Sequence, residues 1–255
     1  LLRRQRQMCI RDRWPGVQYA SGQAFDLARI VHAARAAGAR IGFDLAHSMG
    51  NLPLSLHDSG CDFAAWCNYK YLNGGPGTLA ACFIHERHHG TKDLPRFEGW
   101  WGNHGSNRFR MESDFQAATG AEAWTLSNPP VLAAAPLWAA LEIFDEVGMP
   151  ALREKAVAMS RWLQSLLEQE LADVIELLSP ADPQRRGCSL SMRVLGDGKS
   201  GRQLHDFLAA HGVITDWREP DIVRAAPVPL YNSYEDCYHF VRQIRAWADR
   251  DMGAH

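Results

Sequence analysis

The sequence predicts an α/β chain, with a mostly parallel or mixed sheet covered on both faces, followed by a small α+β domain. Three observations carry that expectation. In the first half, a helical repeat is followed by short, nearly all-apolar runs (IGFDL, CDFAAWC and GTLAACFI), the pattern of strands buried between layers. A long amphipathic run at 150–172 separates the halves. The last third alternates strand-like and helix-like runs in the order β/β/α/β/β/α.

Taken along the chain, residues 1–13 (LLRRQRQMCIRDR) carry five arginines and one aspartate, with no caps and no sustained pattern. Of the readings open for them, a basic arm, a transit peptide or a non-native segment, the last is preferred, because MCIRDR resembles a translated sequencing-library adapter. They are set aside, leaving 14–148 as the expected large domain and 149–255 as the small one. Phe25, Leu27, Ile30, Val31 and Ala34 recur at helical spacing, with Gly38 as a stop. Strands are expected at Ile41–Leu45, over CDFAAWCNY and over GTLAACFIH. Residues 90–130, rich in Gly, Asn, Arg and Trp, read as long loops. Helices follow over 130–147 and 150–172, the second with Pro150 at its start and Leu152, Ala156, Met159, Leu163, Leu166 and Leu167 on one face. The small domain is expected as strands 174–178 and 188–194, helix 201–210 closed by Gly212, strand 213–217, a short strand at Ile222–Arg224 and a helix from Ser233.

Composition narrows the function classes. Lys and Arg number 27 against 29 Asp and Glu, so bulk charge gives no reason to expect nucleic acid or an anionic membrane. No apolar run approaches the ~20 residues of a membrane span. The six cysteines include no C-x-x-C pair, which suggests neither a zinc ribbon nor a disulfide scaffold, and a reducing cytoplasm is the expected setting.

The stretch CNYKYLNGGPG poses the chemical question. Lys70 lies between Tyr69 and Tyr71, after an apolar run and before glycines. It reads as a snorkelling surface lysine, a phosphate-binding lysine or a lysine whose amine does covalent chemistry. Asp44 ends the preceding strand, where open α/β sheets face their ligand crevice; it either caps a turn or holds a protonated heterocycle nitrogen. His47, three residues on, lines the same crevice or serves structure alone. An acid at one strand end and a lysine after the next is the pairing that pyridoxal 5′-phosphate needs, one holding the pyridinium proton and the other the aldehyde. Tyr69 can donate to a phosphate, and Gly74, Gly75 and Gly77 let backbone pass close by. HERHH contains an H-E-x-x-H pattern, but it follows a strand and meets Gly90 at once, so an exposed polar turn is expected rather than a zinc helix; no metal is expected. Trp100 and Trp101 either pack or aim indole N–H donors at a ligand. Ser127-Asn128-Pro129-Pro130 reads as a helix entry. Arg224, at a strand end before a Pro-rich turn, suits a bidentate carboxylate clamp.

From about Gly16 onward the stretches GVQYASGQ, GFDLAHSMGN, DFAAWCNYKYLNGGPG, EGWWGNH, SNPP and RAAPVPLYNS together resemble kynureninase, a family of fold-type-I pyridoxal-phosphate enzymes. The resemblance implies an α/β/α large domain and hydrolysis of L-kynurenine, or its 3-hydroxy form, to anthranilate (or 3-hydroxyanthranilate) and L-alanine, within tryptophan catabolism and NAD biosynthesis. It implies that Lys70 holds the cofactor as a Schiff base and shuttles the α-proton, that Asp44 pairs with the pyridine nitrogen, and that His47 and Tyr69 contact the cofactor. Trp100 and Asn128 are implied to reach cofactor or substrate across a homodimer interface, Arg224 to bind the α-carboxylate, and Trp101 and Ser127 to border the aromatic end. It also implies that the family's phosphate-binding loop, ring-stacking aromatic and substrate-side histidine lie outside this sequence, with Pro15 where some members have a serine. The competing readings are a class V aminotransferase or cysteine desulfurase relative, and an inactive fragment with apolar surface exposed.

Overall fold

The computed structural model describes residues 11–91, 94–110 and 112–250; the first ten of the thirteen residues set aside above lie outside that range. The described chain divides into two compact units, each considered by itself. Among the described residues the first comprises 11–16, 26–49 and 54–143, and the second comprises 17–25, 50–53 and 144–250.

In the first unit β1 (Arg11–Pro15), β2 (Arg40–Asp44), β3 (Phe63–Cys67) and β4 (Ala80–Ile84) form a sheet in that order among the described residues. β1, β2 and β3 run parallel, and β4 is antiparallel to β3. The sheet is therefore mixed. Helix α1 (Leu27–Ala36) is capped by Asp26, whose carboxylate accepts from the Arg29 N–H at 3.0 Å. It ends before Gly38, whose φ of +69° suits the left-handed turn. The apolar face of α1 (Leu27, Ile30, Val31, Ala34) packs on Ile41 and Phe43 of β2, Ala64 of β3 and Phe83 of β4. These strand residues share one face because side chains alternate along a strand. A short helix α2 (Leu56–Ser59) precedes β3.

After β4 the chain takes irregular turns until α3 (Val131–Val147), followed by α4 (Met149–Glu170). In the second unit β5 (Ile175–Leu177), β6 (Leu190–Val194), β7 (Asp216–Arg218) and β8 (Ile222–Ala225) form an antiparallel sheet in the order β5-β6-β8-β7. Helix α5 (Gly201–Ala210) starts at a reciprocal Ser200–Gln203 capping box, and α6 (Tyr234–Arg250) closes the unit. Met159, Leu163 and Leu167 of α4, Leu190 and Met192 of β6, Leu204 and Leu208 of α5, and Val241 and Ile244 of α6 build a core with almost no solvent contact.

Three details depart from the sequence expectation. Residues 11–13, set aside above, form the first part of β1 and pair in parallel with 40–42 of β2. The strand expected at 213–217 begins only at Asp216, because β8 is short and its register pairs only 216–218; Ile214 is left exposed. Arg186, unremarked in the sequence, has no solvent exposure at all. Its Nη1 donates to the carbonyls of Pro180 and Ala181 and its Nη2 to that of Ser160 in α4. Burial pushes its pKa down to about 10.

Candidate functional site

The carboxyl ends of the parallel strands carry four of the candidate residues of the first unit, Asp44, His47, Tyr69 and Lys70. Asp44 is the last residue of β2 and stands opposite Ala65 of β3; Lys70 follows five residues later. Asp44 thus leaves one strand end, and the Lys70 loop leaves its neighbour. The Asp44 carbonyl accepts from the Gly16 N–H at 2.9 Å, and its carboxylate accepts from the Ala46 N–H at 3.1 Å. Gly16 has to be small: a Cβ there would meet Ser48 Oγ at 2.4 Å and Leu45 Cδ2 at 2.7 Å. The end of β1 therefore presses onto the turn that follows Asp44, and that turn carries His47. The His47 ring meets Tyr71 edge-on, with centroids 6.4 Å apart.

Lys70 is half-buried, with Nζ 5.5 Å from the centre of the exposed Tyr69 ring. Its loop is stapled at the root by buried Asn68, a residue that sequence reasoning passed over although it lies in the quoted stretch. The Asn68 side-chain N–H donates to the Leu79 carbonyl at 2.8 Å, and its own carbonyl accepts from the Gly74 N–H at 2.9 Å. A Cβ on Gly74 would come within 2.9 Å of that same carbonyl, so the loop can fold back only with glycine there. Thr78 Oγ1 donates to the Ala133 carbonyl at 3.0 Å, tying the far end of the loop to α3.

The two tryptophans and the Ser-Asn pair are brought together by one tight contact. Trp100, Trp101 and Gly102 form a single 3₁₀ turn. Gly99 lies against Leu126 so closely that a Cβ would fall 2.2 Å from its backbone. Trp100 follows Gly99 and Ser127 follows Leu126, so both pairs flank the same contact. The tryptophan rings meet edge-on at 5.2 Å, and the Arg108 guanidinium sits 4.3 Å from the centre of the Trp101 ring. Ser127 Oγ donates to Asn128 Oδ1 at 3.2 Å, and both residues are exposed.

Arg224 lies in the second unit. Its Nη2 donates to Asp216 across the β7–β8 register, and its Nη1 to the Tyr19 carbonyl. The sequence pointed to the arginine but not to these anchors.

HERHH forms a 3₁₀ turn over Glu86–His88, too short to hold two histidines on one helical face. Among the described residues no group of three or more His, Cys, Asp or Glu side chains can hold a metal ion. His88 Nε2 and Arg87 Nη2 instead donate to Asp62 at 2.7 and 2.9 Å. Burial pushes the Asp62 carboxyl up, but the Ile41 N–H at 2.8 Å, His88 and Arg87 outweigh it and hold it below the ordinary 3.8. A lowered folded-state pKa contributes stability above the unfolded value that is lost as pH falls through the folded one. Asp62→Asn is thus expected to be less stable than wild type near neutrality, with the gap closing below pH about 4. Denaturant midpoints at both pH values check this, and a gap of equal size at the two would contradict it.

A cavity of about 930 Å³ lies beside this cluster, lined by Arg40, Asp62, Phe63, Arg96, Phe97 and Trp124 among others. It sits at the amino ends of β2 and β3, the opposite end of the sheet from Asp44 and Lys70.

Residues 152–244 match the family model of the kynureninase C-terminal domain. Over 92% of its length the chain is 57% identical to the kynureninase of Stenotrophomonas maltophilia (strain K279a), and equally to that of Xanthomonas oryzae pv. oryzae (strain PXO99A). Each alignment covers 55% of the relative, so the chain spans about half the length of the curated relatives it matches. Among solved structures, it is similar to a C-DES variant with glycine covalently linked to its PLP cofactor (TM-score 0.78, 22% identity, 92% of this chain and 60% of that one). It is also similar to the cysteine desulfurase CsdA of Escherichia coli (TM-score 0.77, 17% identity, 94% and 59%). These likenesses bear on the fold, which is the fold-type-I arrangement implied by the sequence motifs.

Proposed function

As a chain related to kynureninases along 92% of its length, this protein, we propose, carries the lysine half of a pyridoxal-phosphate site that hydrolyses L-kynurenine, or its 3-hydroxy form, to anthranilate (or 3-hydroxyanthranilate) and L-alanine. The observation that carries the reading is the placement of Asp44 and the Lys70 loop at the carboxyl ends of adjacent parallel strands, in a chain so close to these relatives. The likeness to the cysteine desulfurase CsdA rests on 17% identity, against the 57% shared with the kynureninases.

The donor set suits the cofactor. A carboxylate can keep a pyridinium nitrogen protonated, a primary amine can hold an aldehyde, and a tyrosine hydroxyl can donate to a phosphate. When bound, pyridoxal 5′-phosphate supplies the aldehyde that takes the substrate amine and the ring that accepts electrons during cleavage. Lys70, on the loop that Asn68 staples at its root, takes the proton from the substrate Cα. His47, on the turn after Asp44, would contact the ring, and the Tyr69 hydroxyl would donate to the phosphate. Arg224 grips the α-carboxylate through a planar guanidinium. Trp101 and Ser127 would border the aromatic end, while Trp100 and Asn128 would reach cofactor or substrate across the homodimer interface. In the net reaction water adds across the Cβ–Cγ bond: the γ-carbonyl carbon leaves as the carboxylate of the anthranilate, and Cβ gains a proton to become the alanine methyl.

The reading extends to a homodimer in the cytoplasm. Val131, Leu132 and Trp138 of α3 are 73, 90 and 71% exposed, an apolar surface of the kind that partner subunits cover. No described helix is long and apolar enough to cross a membrane. Incubating the purified chain with pyridoxal phosphate and L-kynurenine tests the proposal through anthranilate fluorescence, with sedimentation reporting dimerisation. Formation of a keto acid or sulfide from amino-acid substrates, with no anthranilate, would favour the competing enzymes.

A further inference from the structure

We propose that Asn68 is a positioning residue for the Lys70 amine: its side chain fixes the root of the loop, so that Lys70 reaches the cofactor aldehyde and the substrate Cα from one place. The inference rests on the reading of Lys70 as the cofactor-binding lysine. β3 and β4 pair in a register that sets Cys67 against Ala80, and both strands end there. One step further Asn68 stands opposite Leu79, and at this step the side chain makes the contact: Asn68 Nδ2 donates to the Leu79 carbonyl at 2.8 Å. A carbonyl only accepts, so it is the amide nitrogen that has to face it. The main-chain carbonyl of Asn68 turns into the loop and accepts from the Gly74 N–H at 2.9 Å.

Lys70 sits inside two nested bonds. The outer one joins Asn68 to Gly74; in the inner one the Asn73 N–H donates to the Lys70 carbonyl at 3.0 Å. Asn73 has a φ of +58°, a left-handed conformation that asparagine adopts more readily than most side chains. Asn68 is 2% exposed, so its amide has little water to turn to, and a buried amide without a partner is costly. Its contact with Leu79 is held for that reason, and the loop with it. A lysine amine ends a flexible four-carbon stem, so it is no better placed than the backbone that carries it. Rate gained from orientation falls steeply once a reacting group is about 1 Å out of place. Asn68 therefore acts on the rate of proton transfer at Cα, and the grip on the substrate is left to other residues.

The test compares wild type with Asn68→Asp, Asn68→Ala and Asn68→Ser. Asn68→Asp keeps the shape but sets an acceptor against the Leu79 carbonyl, and Asn68→Ser keeps a donor of shorter reach. In cofactor-free protein, hydrogen exchange at the Asn73 and Gly74 N–H groups is expected to quicken by roughly tenfold in Asn68→Asp and Asn68→Ala, the size of one lost hydrogen bond. In cofactor-loaded protein, kcat for L-kynurenine is expected to fall by roughly 10- to 100-fold with KM within about threefold, and Asn68→Ser recovers part of both losses. Urea midpoints identify a variant that merely unfolds, and Asn68→Ser then carries the comparison. Unchanged exchange overturns the inference, and so does faster exchange with an unchanged kcat. Absence of turnover in wild type counts against the functional reading. The rate at which borohydride traps pyridoxal phosphate on Lys70, followed by mass spectrometry, then decides on Asn68: slower trapping in Asn68→Asp supports it, and an equal rate overturns it.

Discussion

Lys70→Ala is expected to abolish the Schiff-base absorbance that appears when pyridoxal phosphate is added, and to lower kynurenine hydrolysis by roughly 10³-fold or more. General acid–base catalysis by itself contributes about 10²–10⁴-fold, and loss of the covalent amine removes a second contribution. The fold has little reason to change. Lys70 is half-buried, its side chain lies over the exposed Tyr69 ring, and its loop is held by Asn68 and Thr78. Lys70→Arg separates charge from chemistry, because a guanidinium keeps the positive charge but stays protonated and does not attack an aldehyde. Absorbance that survives both substitutions would remove Lys70 from the site.

Leu163→Ala is expected to have the largest effect on stability. Leu163 is 1% exposed at the centre of α4, among Met159, Leu167 and the side chains of β6, α5 and α6. Truncating a leucine in such a setting costs about 2–5 kcal/mol, through lost burial and the cavity left behind. That is a large part of the roughly 5–15 kcal/mol that holds a domain folded. Thermal or urea denaturation of the chain measures it. A change under about 1 kcal/mol would mean that the surrounding core collapses into the space.

How much could be read in advance differs between the two units. The order of strands and helices in the second was legible because most of its elements are clean periodic runs: the leucines of α4 repeat at helical spacing, and Gly212 marks the stop of the helix over 201–210. In the first unit the placement of Asp44 and Lys70 was legible for a different reason. An acid at the end of one apolar run and a lysine just after the next lie at neighbouring strand ends whenever the strands are parallel and adjacent in space, as β2 and β3 are.

Other features depended on contacts between residues far apart in sequence. Nothing near Arg186 announces burial; it is buried because carbonyls of the 180–181 turn and of α4 converge on it. HERHH matched a metal pattern as a string, yet its turn and the nearby Asp62 make it an ion-paired corner. Arg224 could be singled out as a strand-end arginine, but its partners, Asp216 across a hairpin and Tyr19 more than two hundred residues earlier, could not.

The sequence by itself determined most of the helices and strands, though not β1, α2 or the start of β7, and which acid and amine stand at strand ends, since periodicity and spacing are local properties of the chain. Only the tertiary structure decided which side chains hold Lys70, Arg224 and Asp62 in place. A hydrogen bond needs a donor and an acceptor within about 3 Å, and for residues far apart in sequence that distance exists only once the chain has folded.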